Sequence, residues 1–232
     1  MRLESIVFYL KNKFIGQCSI DDISYSRPEI DMEMRKKFKI LFIDDSELSI
    51  IEVLRKESGY DVRYKEYLED IYDASIYDII LCDLQGVNTS DENEGAGLIK
   101  DLRLMYPNKQ LILYTAGTLR NSQIELIQEY ADKRVLKGQS KSTWESILDE
   151  SIGEIIDPCL SWGKIKKYLE KKGVRTRDVA IFEDMFVKSY RQGKLPNKAQ
   201  MVLLFQNYKA LKEYELILTP IIKSVISAKV KI

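Results

Sequence analysis

Between Phe38 and Ile152 five short apolar runs recur, each followed by a stretch of helical spacing, and this alternation constrains the fold of the 232-residue chain more than any other feature. The runs are FKILFI at 38–43, the weaker YDVRYK at 60–65, DIILC at 78–82, QLILY at 110–114 and KRVL at 133–136. A short unbroken apolar run suits a strand buried on both faces, as strands in parallel sheets are. The intervening stretches read as helices. Residues 46–58 carry Leu48, Ile51, Val53 and Leu54 and end at Gly59, a helix C-cap residue. Residues 68–75 predict a short helix, 97–105 one stopped by Pro107, and 119–130 and 140–152 two more. Strands alternating with helices through five rounds predict an α/β fold, a doubly wound five-stranded parallel sheet with helices on both faces.

In such a sheet ligands bind beyond the carboxyl ends of the strands, where strand order reverses. The residues that follow the apolar runs are therefore the ones to inspect. Asp44 and Asp45 follow the first, Asp83 the third, Thr115 the fourth and Lys137 the fifth. Each has a plain reading on its own. Asp45 or Ser46 could cap a helix, as could Thr115, and Lys137 could lie on the surface. As a group they make a different case. Three carboxylates brought together repel, and a hard divalent cation with oxygen ligands is the natural counter-charge. Lys137 adds a second positive charge and Thr115 a hydroxyl donor. Such a set suits phosphoryl transfer onto a carboxylate, where positioning and neutralisation carry the catalysis.

The segments ILFIDD (40–45), DIILCDL (78–84), LILYTAG (111–117) and RVLKG (134–138) resemble the response-regulator receiver (CheY-like) family, over residues 38–149. The resemblance implies a flavodoxin-like receiver fold with Asp83 as phosphoacceptor. It implies Mg²⁺ held by Asp44, Asp45, Asp83 and the backbone carbonyl of Gln85, with Thr115 as switch hydroxyl and Lys137 as the site lysine. The implied phosphodonor is a sensor histidine kinase or a phosphotransfer protein. A receiver is no enzyme in the usual sense, having at most self-catalysed phosphorylation and dephosphorylation. The sequence departs from the family in three places. Gly138 stands where receivers commonly have proline, Arg134 where they carry the switch aromatic, and the loop 84–94 is long, lacks Met-Pro and bears Asp91, Glu92 and Glu94. These departures leave the acceptor intact but put the switch in question. A degenerate receiver acting as a constitutive adaptor is therefore an alternative.

Composition adds exclusions. The chain has no histidine, so it is not itself a histidine kinase, a His-based hydrolase or an imidazole metal site. Three scattered cysteines without CxxC spacing point to a reducing, cytoplasmic setting. No run approaches the roughly 18 apolar residues of a membrane span, so no membrane association is expected. The apolar run 6–10 lacks a signal-peptide cleavage pattern.

Net charge is zero but uneven. Residues 1–149 hold 20 basic and 27 acidic side chains, and 150–232 hold the remaining 16 and 9. This suggests two modules. The expected division is an N-terminal arm at 1–37, a receiver at 38–153 and an all-helical effector domain at 154–232. Four helices are predicted in the last, at 160–172, 176–190, 197–208 and 213–230, with apolar stripes Ile165/Leu169 and Phe182/Phe186. No winged-helix or LuxR-type signature is present, and the lysines are spread over several helices. The expected partner of this domain is thus a protein effector or a second copy in a homodimer. A transcriptional regulator reading specific DNA is the weaker alternative.

Overall fold

The computed structural model describes residues 18–88, 90–195 and 198–206, and these divide into two compact units. Among the described residues, one comprises those from 29 to 153, the other those from 18 to 28 and from 154 to 206. Residues 18–28 and 29–37 thus belong to different units. No helix among the described residues is long and apolar enough to cross a membrane.

The first unit opens with α1 (Met32–Arg35), capped by Asp31, whose side chain accepts from Met34 N at 2.8 Å. Five strands follow: β1 (Lys39–Ile43), β2 (Asp61–Lys65), β3 (Ile79–Asp83), β4 (Gln110–Thr115) and β5 (Lys133–Leu136). All neighbours are parallel, in the order β2-β1-β3-β4-β5. The helices are α2 (Ser49–Lys56), α3 (Gly95–Met105), α4 (Asn121–Tyr130) and α5 (Lys141–Ile156). This is the predicted doubly wound sheet.

The predicted helix at 68–75 is instead a 3-10 turn, Ile71–Ile76, capped by Asp70 through Tyr72 N. Only Ala74 of this segment is fully buried, so it offers too narrow an apolar face to hold a full helix against the sheet.

Alternation along the strands sorts side chains onto two faces. Leu41, Ile43, Ile80, Cys82, Leu111 and Leu113 share one core with Ala96, Ile99 and Leu102 of α3 and Ile127 of α4. The opposite parity of β1, β3 and β4 carries Ile40, Phe42, Ile79, Leu81, Ile112 and Tyr114, all fully buried. On this face Trp144 of α5 packs edge-on against Phe42 and Tyr114, with centroids 5.8 and 6.0 Å away. Each large apolar side chain so buried contributes about 1.5–3 kcal/mol. Arg35 ties α1 to α5 through Asp149, at 2.9 and 2.6 Å.

In the second unit α6 (Pro158–Lys171), α7 (Thr176–Gln192) and α8 (Lys198–Phe205) follow one another. Asp157 caps α6 by accepting from Cys159 N and Leu160 N, and Pro158 takes the first helical position. The core gathers Trp162, Ile165, Leu169, Phe182 and Phe186, so both predicted stripes face inward. Residues 18–22 are bound to α7: Asp184 accepts from Cys18 N, and Glu183 from Ile20 N, both at 2.8 Å. The fourth predicted helix, at 213–230, lies outside the described residues.

Candidate functional site

Strand order reverses between β1 and β3, so the crevice belongs at their carboxyl ends. Asp44 and Asp45 leave β1 there, and Asp83 is the last residue of β3. One carboxylate oxygen from each of the three lies within 4.8 Å of the others. Asp44 is fully buried and Asp83 nearly so, while Asp45 is exposed. The parity that directs Phe42 and Leu81 to the Trp144 face carries on to Asp44 and Asp83.

Lys137, just beyond β5, bridges two of these acids. Its Nζ lies 2.6 Å from Asp83 Oδ2 and 3.0 Å from Asp44 Oδ2. Burial would lower the ammonium's pKa, but the bonds and charges of Asp83 and Asp44 outweigh it and hold the pKa above that of a free lysine. For Asp83 the balance runs the other way. Burial raises its pKa, the Asp44 charge adds to the rise, and Lys137 offsets only part of it. Lys137 thus stays charged between the two acids, while burial opposes the ionisation of Asp83.

Thr115, at the end of β4, is buried, and its Oγ1 accepts from Gly117 N at 3.1 Å. Gln85 is exposed, and its side-chain amide lies against Gly117, where a Cβ would come within 3.1 Å of Nε2. The capping alternatives are not realised for these residues. The N-cap of α2 is Leu48, with no side-chain hydrogen bond, and that of α4 is Arg120, whose N–H is met by Gln123. Asp44 Oδ1 instead accepts from Ser46 N at 3.0 Å. This turn starts α2 three residues later than the apolar spacing suggests.

Several site residues were not evident from the sequence. Tyr114 donates from its hydroxyl to Asp44 Oδ2 at 2.8 Å and to Ile43 O at 3.3 Å. Its signal was present, because a tyrosine in a buried strand needs a partner for its hydroxyl. Gly86 has φ 80°, and a Cβ there would fall 2.3 Å from Asp45 Oδ2. A Cβ on Gly95 would fall 1.9 Å from Asp83 O. Both glycines let backbone close on the acids. Glu94, at φ 50°, joins the two loops flanking Asp83 and Thr115: it accepts from Gly86 N at 3.3 Å and Arg120 Nη2 at 3.0 Å. No peptide bond among the described residues is cis, and Gly138 takes φ 81° with open space around it.

The donor set fits a hard divalent cation: oxygen ligands only, two of them buried, with one exposed carboxylate at the mouth. Cys82, next to Asp83, is fully buried, and burial pushes its thiol far above the ordinary range, so it offers no nucleophile.

No protein-family model matches the chain, and no curated protein matches it in sequence. Solved structures do. The BeF3-activated DrrB receiver domain is 18% identical with TM-score 0.42, covering 50% of this chain and 97% of that one. A response regulator receiver domain protein (CheY-like) from Methanospirillum hungatei is 18% identical with TM-score 0.39, covering 49% and 95%. A response regulator receiver domain protein from Clostridium thermocellum is 18% identical with TM-score 0.41, covering 49% and 93%. About half of this chain is thus similar to response-regulator receiver domains, each of them matched over nearly its whole length, and the other half is unmatched by them.

Proposed function

We propose that the unit formed by residues 29–153 is a phosphoacceptor receiver of a two-component-type signalling protein, with Asp83 as the acceptor. The observation that carries this reading is the meeting of Asp44, Asp45, Asp83 and Lys137 at the switch point of the sheet. An Asp83 carboxylate oxygen attacks the phosphorus of a phosphohistidine donor. A P–O bond forms, the P–N bond breaks with its electron pair going to the ring nitrogen, and the imidazole, already protonated on its other nitrogen, leaves as the neutral ring. A sensor histidine kinase or phosphotransfer protein is the donor. This chain has no histidine, so a phosphohistidine donor must be another protein.

Asp44, Asp45 and Asp83, with the Gln85 carbonyl, are the residues that would hold Mg²⁺. The ion supplies charge neutralisation of the phosphoryl oxygens and of the acidic cluster. Lys137 exchanges an Asp83 oxygen for a phosphoryl oxygen, and the Thr115 hydroxyl donates to another. Burial of Asp83 keeps water from competing for the acceptor. Burial and the Asp44 charge raise the pKa of Asp83, and phosphorylation adds further negative charge at this edge, which Lys137 and the cation would neutralise.

The helical unit is the output, acting on a protein effector or a second copy in the cytoplasm. Supporting this, both its apolar stripes are consumed in its own core. Its exposed lysines, Lys166, Lys167, Lys171 and Lys172, are spread over more than half of the circumference of α6 rather than lined up as one base-reading row. The test is incubation with Mg²⁺ and acetyl phosphate, followed by intact-mass measurement. One phosphoryl group, dependent on Mg²⁺ and labile to base, is expected. An unlabelled protein under these conditions would point to the constitutive-adaptor alternative.

A further inference from the structure

The acidic site has a floor that its surface residues do not reveal. Asp44 has both carboxylate oxygens engaged before any cation arrives. Oδ1 accepts from Ser46 N at 3.0 Å, and Oδ2 accepts from the Tyr114 hydroxyl at 2.8 Å and lies 3.0 Å from Lys137 Nζ. Tyr114 is itself fixed. Its ring sits 5.8 Å from Phe42 and 6.0 Å from Trp144, nearly perpendicular to the latter at 88°, and Lys137 Nζ stands 5.5 Å from the ring centroid. The phenol is fully buried. Its oxygen also reaches Ile43 O, and one proton cannot serve two acceptors equally. The shorter contact and the formal charge favour Asp44.

The three groups around Asp44 come from three different strands: Ser46 after β1, Tyr114 near the end of β4 and Lys137 after β5. Ser46 and Tyr114 are neutral donors whose positions are set by the backbone and by an aromatic cluster. Lys137 is a long side chain that also serves Asp83. When a cation displaces Lys137, or a phosphoryl group draws it away, Tyr114 and Ser46 remain to hold the carboxylate.

We infer that Tyr114 is a positioning residue that fixes the orientation of Asp44 towards the divalent cation, and thereby sets how tightly the site binds it. The inference rests on the proposed reading of the acidic cluster as a cation site. A donor bonded to a ligating carboxylate commonly changes metal affinity by about 10–100-fold when removed. Tyr114→Phe keeps the ring against Phe42 and Trp144 and removes only the hydroxyl.

The experiment is calorimetric titration of the full chain with MgCl₂, comparing wild type and Tyr114→Phe, with urea melts of both. The expected result is about tenfold weaker Mg²⁺ binding in Tyr114→Phe, with acetyl phosphate labelling restored at correspondingly higher Mg²⁺. A purely structural hydroxyl would lower the melting midpoint and leave the Mg²⁺ affinity where it was, and that outcome overturns the inference. Phe42→Leu, which loosens the same aromatic cluster but keeps the Tyr114 hydroxyl, is the control for packing. It must bind Mg²⁺ more tightly than Tyr114→Phe, and an equal loss of affinity in both overturns the inference. Wild type that binds no Mg²⁺ would instead overturn the cation-site reading on which the inference rests, so the two failures are distinct.

Discussion

The Lys137 ammonium stands 2.6 Å from Asp83 Oδ2 and serves as resident counter-ion for two buried carboxylates at once. Removing it leaves Asp44 and Asp83 facing each other uncompensated. Lys137→Met is expected to destabilise the fold at pH 7 by about 2–3 kcal/mol, less than for a fully buried pair because the side chain is 23% exposed. Mg²⁺ should recover much of this loss, since it replaces the missing charge. Thermal melts with and without MgCl₂ measure it, and the Mg²⁺-induced rise in Tm should be larger in the variant than in wild type.

Asp83 makes a prediction of opposite sign. Its folded pKa is raised, so its contribution to stability is fullest below the unfolded value and is lost as pH rises through the folded one. At pH 7 the ionised carboxylate therefore costs stability. Asp83→Asn is expected to melt at a higher temperature than wild type at pH 7, and the difference should shrink as pH falls towards 4. A variant less stable than wild type at pH 7 would show that the Lys137 bond outweighs burial and the Asp44 repulsion.

Lys109 supplies a test remote from the site. Burial lowers its pKa to about 8 against the opposing pull of Asp78. Its Nζ donates to Ser75 O and Tyr77 O and lies over the Tyr106 ring. Between about pH 8 and the ordinary lysine value of 10.5 the unfolded chain binds a proton that the folded one has released. Stability therefore rises with pH in that window. Lys109→Met should flatten the rise, as read by urea midpoints at pH 8 and pH 10.

Gly86 tests the mouth of the crevice. At φ 80°, with a Cβ position 2.3 Å from Asp45 Oδ2, it has no room for a side chain. Gly86→Ala should cost about 1–3 kcal/mol from the left-handed backbone alone. It should also push Asp45 aside, weakening Mg²⁺ binding severalfold in the same calorimetric titration.

The strands and the acidic cluster were legible in the sequence for one physical reason. Parallel strands buried on both faces are written as apolar runs, and the sheet's topology brings whatever follows those runs to one edge. Asp44, Asp83, Thr115 and Lys137 needed no further information. Tyr114 was harder, because its bond to Asp44 depends on two strands separated by β3 and on which parity faces Trp144. The 3-10 turn at Ile71–Ile76 was missed because a few apolar residues do not distinguish a short helix from a tighter turn. That residues 18–28 and 29–37 belong to different units was not readable locally at all. It rests on Glu183 and Asp184, more than 160 positions away, binding the backbone of residues 18–20.

The central claim is that Asp83 alone accepts the phosphoryl group. Its most direct measurement is borohydride trapping after incubation with Mg²⁺ and acetyl phosphate, which reduces an aspartyl phosphate to homoserine, followed by peptide mass mapping. Homoserine is expected at position 83 and at no other carboxylate, and none in Asp83→Asn. Homoserine at Asp44, Asp45 or any other acidic residue, or labelling that persists in Asp83→Asn, would contradict it.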